Sequence, residues 1–176
     1  FTGNASLTSN VYSATQDFIF GSNTTDDLSG TYDDARFYFL KAKAAFGAGY
    51  FPSLVSENGF LSSYDITDFD PYDVGDYSIN LGNSNEASDL GAIAIGILNT
   101  TRAYGAKAMG DYLMANSSSE IVIGSYNEYS EDSERIVWKP LDPLFTVGNG
   151  DFSSDDKKRS NAFRILKNGD ATFYNS

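Results

Sequence analysis

The chain has 176 residues, enough for one domain with its own core or for a slender repeat with small appendages. Its 12 Lys plus Arg against 24 Asp plus Glu give a formal net charge of -12 with no basic stripe, which disfavours nucleic acid and anionic membrane surfaces as partners. With neither cysteine nor histidine, it excludes disulfides, thiolate or imidazole metal sites, Ser-His-Asp triads and Cys-His dyads.

No run of about 18 apolar residues occurs, so no membrane insertion is expected within this chain, and the opening FTGNASLTSN lacks the basic region and apolar core of a secretory signal. Residues 1–68 read as a β-rich lead-in, in which DFIFG is followed by the turn material SNTTDDLSG. ARFYFLKAKAAFGAGYF, residues 35–51, sets Phe37, Phe39 and Lys41 against Arg36, Tyr38 and Leu40 at period two, which predicts one or two strands. LKAKAAF alone would also suit a short helix, but it has no N-cap signal and runs into GAGYFP.

In residues 62–77, Asp65, Asp68, Asp70, Asp73 and Asp76 stand among Tyr64, Phe69, Tyr72 and Tyr77. Hard oxygen ligands at this density could hold calcium, though the leading expectation is no cofactor. The spacing lacks the central glycine and closing glutamate of an EF-hand loop, and a solvated acidic loop is the competing reading. The motif N-x-S/T at Asn4, Asn23, Asn99 and Asn116 would mark exposed loops if the producing cell glycosylates them; in a chain rich in Asn, Ser and Thr, chance occurrence is the favoured reading.

Residues 69–124 repeat. SINLG, AIAIG, AKAMG and EIVIG end at Gly82, Gly96, Gly110 and Gly124, each fourteen residues after the last. A strand ending at each glycine places Ser78/Asn80, Ala92/Ala94, Ala106/Ala108 and Glu120/Val122 on one face, and Ile79/Leu81, Ile93/Ile95, Lys107/Met109 and Ile121/Ile123 on the other. Stacked at roughly 4.8 Å per unit, like residues align in ladders, so the expectation is an all-β, parallel β-roll of about four coils. Its glycines would supply backbone freedom at one corner, while NSN, NTT and NSSS form turns. Only one ladder fits inside so narrow a roll. The alanine face suits the space, the aliphatic face has the larger drive to be buried, and whichever stays outside needs a partner. Glu120 is the sort of departure an end unit makes.

Residues 125–176 then break the period and return to strands in PLFTVGNG and AFRILKNGDATFY, where Asn-Gly between alternating runs predicts a hairpin. Trp138, the single tryptophan, reads as a packing anchor at the end of the repeats ahead of a ligand platform.

The segment GAIAIGILNTTRAYGAKAMGDYLMA resembles the fourteen-residue repeats of YadA-like heads, the left-handed β-rolls of trimeric autotransporter adhesins. PLFTVGNG and RSNAFRILKNGDATFY are similar to the closing segment of related bacterial surface proteins and phage tail-fibre-like proteins. The resemblance implies an intertwined homotrimer at the cell surface or outside the cell, serving adhesion or fibre display without enzymatic activity, and recognising a host or surface glycan or protein. Two departures stand out: the repeats are few, and Lys107 interrupts the aliphatic ladder, where Glu86 or Glu120 would have to compensate it or the ladder would face water. A self-assembling filament or matrix subunit joined through open edges is the main alternative, and a carbohydrate-active tail fibre using paired carboxylates is a lesser one. On the adhesin reading, Tyr64, Phe69, Tyr72 and Tyr77 in the acidic loop and Tyr104, Tyr112, Tyr126 and Tyr129 at the corners are candidate receptor contacts. Tyr104, Tyr112 and Tyr126 would equally form a packing column.

Overall fold

The computed structural model describes residues 18–21, 35–50, 74–151 and 158–174. These residues form thirteen strands and no helix, so the described part of the chain is all-β. β1 (Phe18–Gly21), β2 (Ala35–Leu40) and β3 (Ala45–Tyr50) pair antiparallel in succession. The helical option for LKAKAAF is not taken: residues 41–44 make a turn and Leu40 pairs with Ala45, which continues the period-two alternation on both sides.

The repeats contribute long and short strands in alternation: β4 (Ile79–Asn83), β5 (Glu86–Ala87), β6 (Ile93–Ile97), β7 (Thr100–Thr101), β8 (Lys107–Asp111), β9 (Met114–Ala115) and β10 (Ile121–Ser125). β11 (Pro143–Asn149), β12 (Asn161–Leu166) and β13 (Ala171–Phe173) close the chain. Long strands and flanking strands share one open, mixed sheet of ten in the order β1-β2-β3-β4-β6-β8-β10-β11-β12-β13, and the short strands form a second sheet, β5-β7-β9. The centre is parallel and in register, with Ile79 opposite Ile93, Ile93 opposite Lys107 and Lys107 opposite Ile121. The parallel pairing continues past the repeats at both ends, through Phe46 opposite Ile79 and Ile121 opposite Phe145. A one-residue slip would swap the two faces, so this register keeps the small and aliphatic ladders apart.

The open question of which ladder lies inside is answered by burial. Ala92, Ala94, Ala106, Ala108 and Val122 are 0% exposed, whereas Ile79, Leu81, Ile93, Ile95, Ile121 and Ile123 are only half-buried. The small face packs against the short-strand side: Ala106, Ala108 and Val122 cluster with Leu113 and Ala115, and Ala92 and Ala94 with Ala87. Two backbones this close leave room for little beyond a methyl group.

Two devices turn the chain. Every seventh residue from 77 to 126 has a left-handed backbone: Tyr77, Ser84, Gly91, Leu98, Gly105, Tyr112, Ser119 and Tyr126 have φ between 44° and 67°. Six of these are not glycine, so sheet pairing and packing override a local preference of about 1–2 kcal/mol at each. At Gly96 the reason for glycine is sharper than backbone freedom, because a Cβ there would stand 2.0 Å from the Gly110 carbonyl oxygen.

Buried asparagines tie successive units. Asn99 Nδ2 donates to the Ile95 and Gly110 carbonyls at 2.9 and 2.6 Å, and its Oδ1 accepts from the Leu113 amide at 2.9 Å. Asn85 repeats this arrangement one unit earlier, on Leu81, Gly96 and Asn99. Asn127 closes the far end by accepting from the Met114 amide and donating to its carbonyl.

The Asn-Gly hairpin forms as expected. β12 and β13 pair antiparallel around Asn168-Gly169, with Gly169 at φ 93° and Asn168 Oδ1 accepting from the Asp170 amide at 2.9 Å. Trp138, read as a packing anchor at the end of the repeats, lies largely in solvent. It is 52% exposed, because the loop carrying it runs over the surface, with the Lys167 ammonium 5.0 Å from its ring centroid.

Candidate interaction face

The outer face of the ten-stranded sheet is built by register alone. One row runs Phe39, Phe46, Ile79, Ile93, Lys107, Ile121, Phe145 and Ile165; the next runs Phe37, Ala48, Leu81, Ile95, Met109, Ile123, Val147 and Phe163, ending at Phe173. Aliphatic side chains occupy the middle and aromatic rings both ends. Phe37 meets Phe46 edge-on at 5.1 Å, and Phe163 meets Phe145 at 6.3 Å and Phe173 at 4.6 Å. These rows form a contiguous apolar stretch, unlike the scattered single apolar side chains normal on a monomer, and this makes the face a candidate for interaction.

Lys107 is the single charge in these rows. Its stem lies between Ile93 and Ile121, and its ammonium reaches along the strand to donate to the Gly105 carbonyl at 2.8 Å, leaving the row apolar at its centre. Neither acid proposed to compensate it does so. Glu86 is held by Arg102 through two 2.9 Å contacts, and Glu120 is buried on the opposite face of the sheet.

Glu120 is 3% exposed where earlier units carry alanine or serine. One carboxylate oxygen accepts from the Asn116 and Ser117 amides at 3.1 and 3.2 Å, and the other accepts from Thr146 Oγ1 at 3.2 Å. Burial pushes its carboxyl up to about 7, against the opposing pull of those donors and of Arg164. Sealed from solvent, it is a structural link between the last repeat and β11.

The candidate tyrosines divide. Tyr112 and Tyr126 stack at 4.5 Å, with Arg159 lying 6.0 Å from the Tyr126 ring and 5.0 Å from that of Tyr129. Tyr126 is buried, and burial raises its hydroxyl to about 12. An open hollow beside the pair is lined by Ile97, Asp111, Ser125 and Asp151. Tyr104 stands outside this column, exposed at the opposite turn with its amide bonded to the Arg135 carbonyl, and Tyr77 is exposed near the start of the repeats. The expected column therefore holds two of its three tyrosines.

Asn99 and Asn116 do not mark exposed loops. Both are buried, and Asn99 spends its amide on backbone carbonyls, so neither offers a free acceptor in the folded chain. Asn4, Asn23, Tyr64, Phe69, Tyr72, Asp65, Asp68, Asp70 and Asp73 lie outside the described residues. Asp76 is exposed, and among the described residues no group of three or more Asp or Glu is placed to hold a metal ion. No helix among them is long and apolar enough to cross a membrane.

Two parts of the surface escaped sequence reasoning. The phenylalanines of β11 to β13 extend the repeat rows, a continuation that the period-two alternation of PLFTV and AFRIL could have signalled. The apolar side chains of residues 136–141 are exposed together, and no pattern in the sequence separates that from burial. Comparisons with family models, with curated proteins and with solved structures found no match to this chain.

Proposed function

We propose that the chain is a non-enzymatic assembly module, a short parallel β-roll that works as a homotrimer in an extracellular or cell-surface head or fibre, for adhesion or structural display. The observation that carries this reading is the outer face of the sheet: its aliphatic rows are only half-buried within one chain, and Phe37, Phe39 and Met109 are exposed. At about 25 cal/mol per Å² of apolar surface removed from water, covering two rows that run from β2 to β12 and β13 in sheet order would favour association. The register-matched glycines and asparagine ties support a rigid unit suited to extension.

Light scattering of the purified chain tests this. The expected mass is three times 19.1 kDa, independent of dilution through the micromolar range. A single-chain mass would overturn the assembly reading. Very large particles of varied length would favour the filament, joined through the edge strands β1 and β13.

A further inference from the structure

The side chain of Lys167, directly after β12, is 0% exposed. Burying an ammonium is costly unless hydrogen bonds and an opposite charge replace the water it loses. Among the described residues Lys167 Nζ makes no hydrogen bond. Asp142 Oδ2 lies 4.0 Å away, beyond hydrogen-bond reach, and the Trp138 ring centroid is at 5.0 Å. The carboxylate accepts instead from the Glu134 amide, through the same Oδ2 at 3.0 Å. A cation and an anion are thus held side by side away from water, without the bond that a buried salt bridge requires.

The backbone fixes both residues. Asp142 directly precedes β11 and Lys167 directly follows β12, and these strands pair antiparallel with Pro143 opposite Leu166. The Lys167 amide donates to the Asp142 carbonyl at 3.0 Å, and the Asn168 amide to that of Pro140 at 2.8 Å. Side chains fixed on tied, facing positions meet at high effective concentration, and the lysine stem needs only a small adjustment to bring nitrogen to carbon. Burial lowers the Lys167 ammonium, against the raising pull of Asp142 and Glu120, and so favours the free amine, which is the nucleophilic form.

We propose that Lys167 Nζ condenses with the Asp142 carboxyl into an isopeptide bond, a covalent cross-link between the start of β11 and the end of β12. A proton first passes from the ammonium to Asp142 Oδ1, leaving a neutral amine and a carboxylic acid. The nitrogen lone pair then adds to Cγ, and negative charge gathers on Oδ2, where the Glu134 amide already donates. The Cγ–Oδ1 bond breaks, and Oδ1 departs as water with its own proton and one from the nitrogen. No oxidant, reductant or co-reactant is consumed. Two buried charges become one neutral amide, and the Asp142 side chain, 13% exposed, gives the water a way out. Because β11 pairs with β10, the bond secures the closing hairpin to the end of the repeats whatever the number of chains in the assembly.

Mass spectrometry of the purified full chain tests this, after incubation at neutral pH until the mass is constant and then denaturation. The expected mass is lighter than the sequence by one water, and a digest should contain a branched peptide joining Asp142 to Lys167. A mass equal to that of the sequence would overturn the proposal. So would a lost water traced to a linear peptide, as a succinimide or a dehydrated serine would give. Lys167→Met keeps the length of the side chain without the amine, and it should show its full sequence mass, whether or not it folds. A Lys167→Met chain that is still one water light would place the loss elsewhere and refute the cross-link.

Discussion

Replacing Gly96 with alanine tests the close stacking of the repeats most directly. The new Cβ would lie 2.0 Å from the Gly110 carbonyl oxygen and 3.0 Å from Asn99 Nδ2, so β6 and β8 must separate by about 1.5 Å to restore contact distances. Separation loosens the 2.6 Å bond from Asn99 to Gly110 and the neighbouring ladder bonds, at about 1 kcal/mol for each of about three. An alanine held at φ 122° adds about 2 kcal/mol of strain. The expected loss is about 4 to 5 kcal/mol, a large part of the stability of a domain this size. Gly105→Ala is the control: φ is 62° there, but the nearest atom to the new Cβ is 3.8 Å away, so only about 1 kcal/mol should be lost. Urea unfolding followed by circular dichroism measures both. Equal losses in the two variants, or a Gly96→Ala midpoint within 0.5 kcal/mol of wild type by the usual extrapolation, would refute the close-approach argument.

Glu120 makes stability depend on pH. Its carboxyl titrates near 7 when folded and near 4.5 when unfolded, so the folded chain holds a proton that the unfolded chain has lost between those values. Stability should fall by about 3 kcal/mol as pH rises through that window and level off above it. The charged groups around it are Arg164 and Lys167, the latter with its pKa lowered by burial and its nitrogen 4.0 Å from Asp142. Glu120→Gln, whose amide can serve the same donors and Thr146, should flatten the profile; a wild-type profile already flat from pH 4.5 to 7 would show that burial does not shift this group. Asn99→Ala removes three hydrogen bonds from a buried site and should cost about 3 kcal/mol in urea unfolding. A loss under 1 kcal/mol would mean that water substitutes for the amide.

The fourteen-residue return of glycine carried most of the fold, because in-register parallel pairing requires equivalent residues at equal spacing. The Asn168-Gly169 hairpin was equally local and equally legible. What lies inside was not. The alanine and isoleucine ladders are both apolar, and the distance between the two sheets, a long-range quantity, decides between them. Asn85 read as a turn residue and Asn99 as a turn residue or sugar acceptor, since nothing in NSN or NTT announces that the side chain reaches carbonyls of the adjoining unit. The seven-residue rhythm of left-handed backbone was hidden as well, because Tyr, Ser, Leu and Gly share no signature. Trp138 read as a packing anchor at the end of the repeats, and its 52% exposure was not legible from its neighbours in sequence.

The asparagine handover has one further consequence. Asn85 anchors on its own Leu81 and reaches forward to Gly96 and Asn99, and Asn99 anchors on its own Ile95 and reaches forward to Gly110 and Leu113, so each of these units carries its own connector and asks the next for nothing except a backbone. A duplicated copy of residues 92–105 inserted after Gly105 would therefore find both its neighbours ready. Length in this molecule is a genetic dial with fixed clicks, each fourteen-residue duplication advancing the far end by roughly 4.8 Å without redesign of either cap.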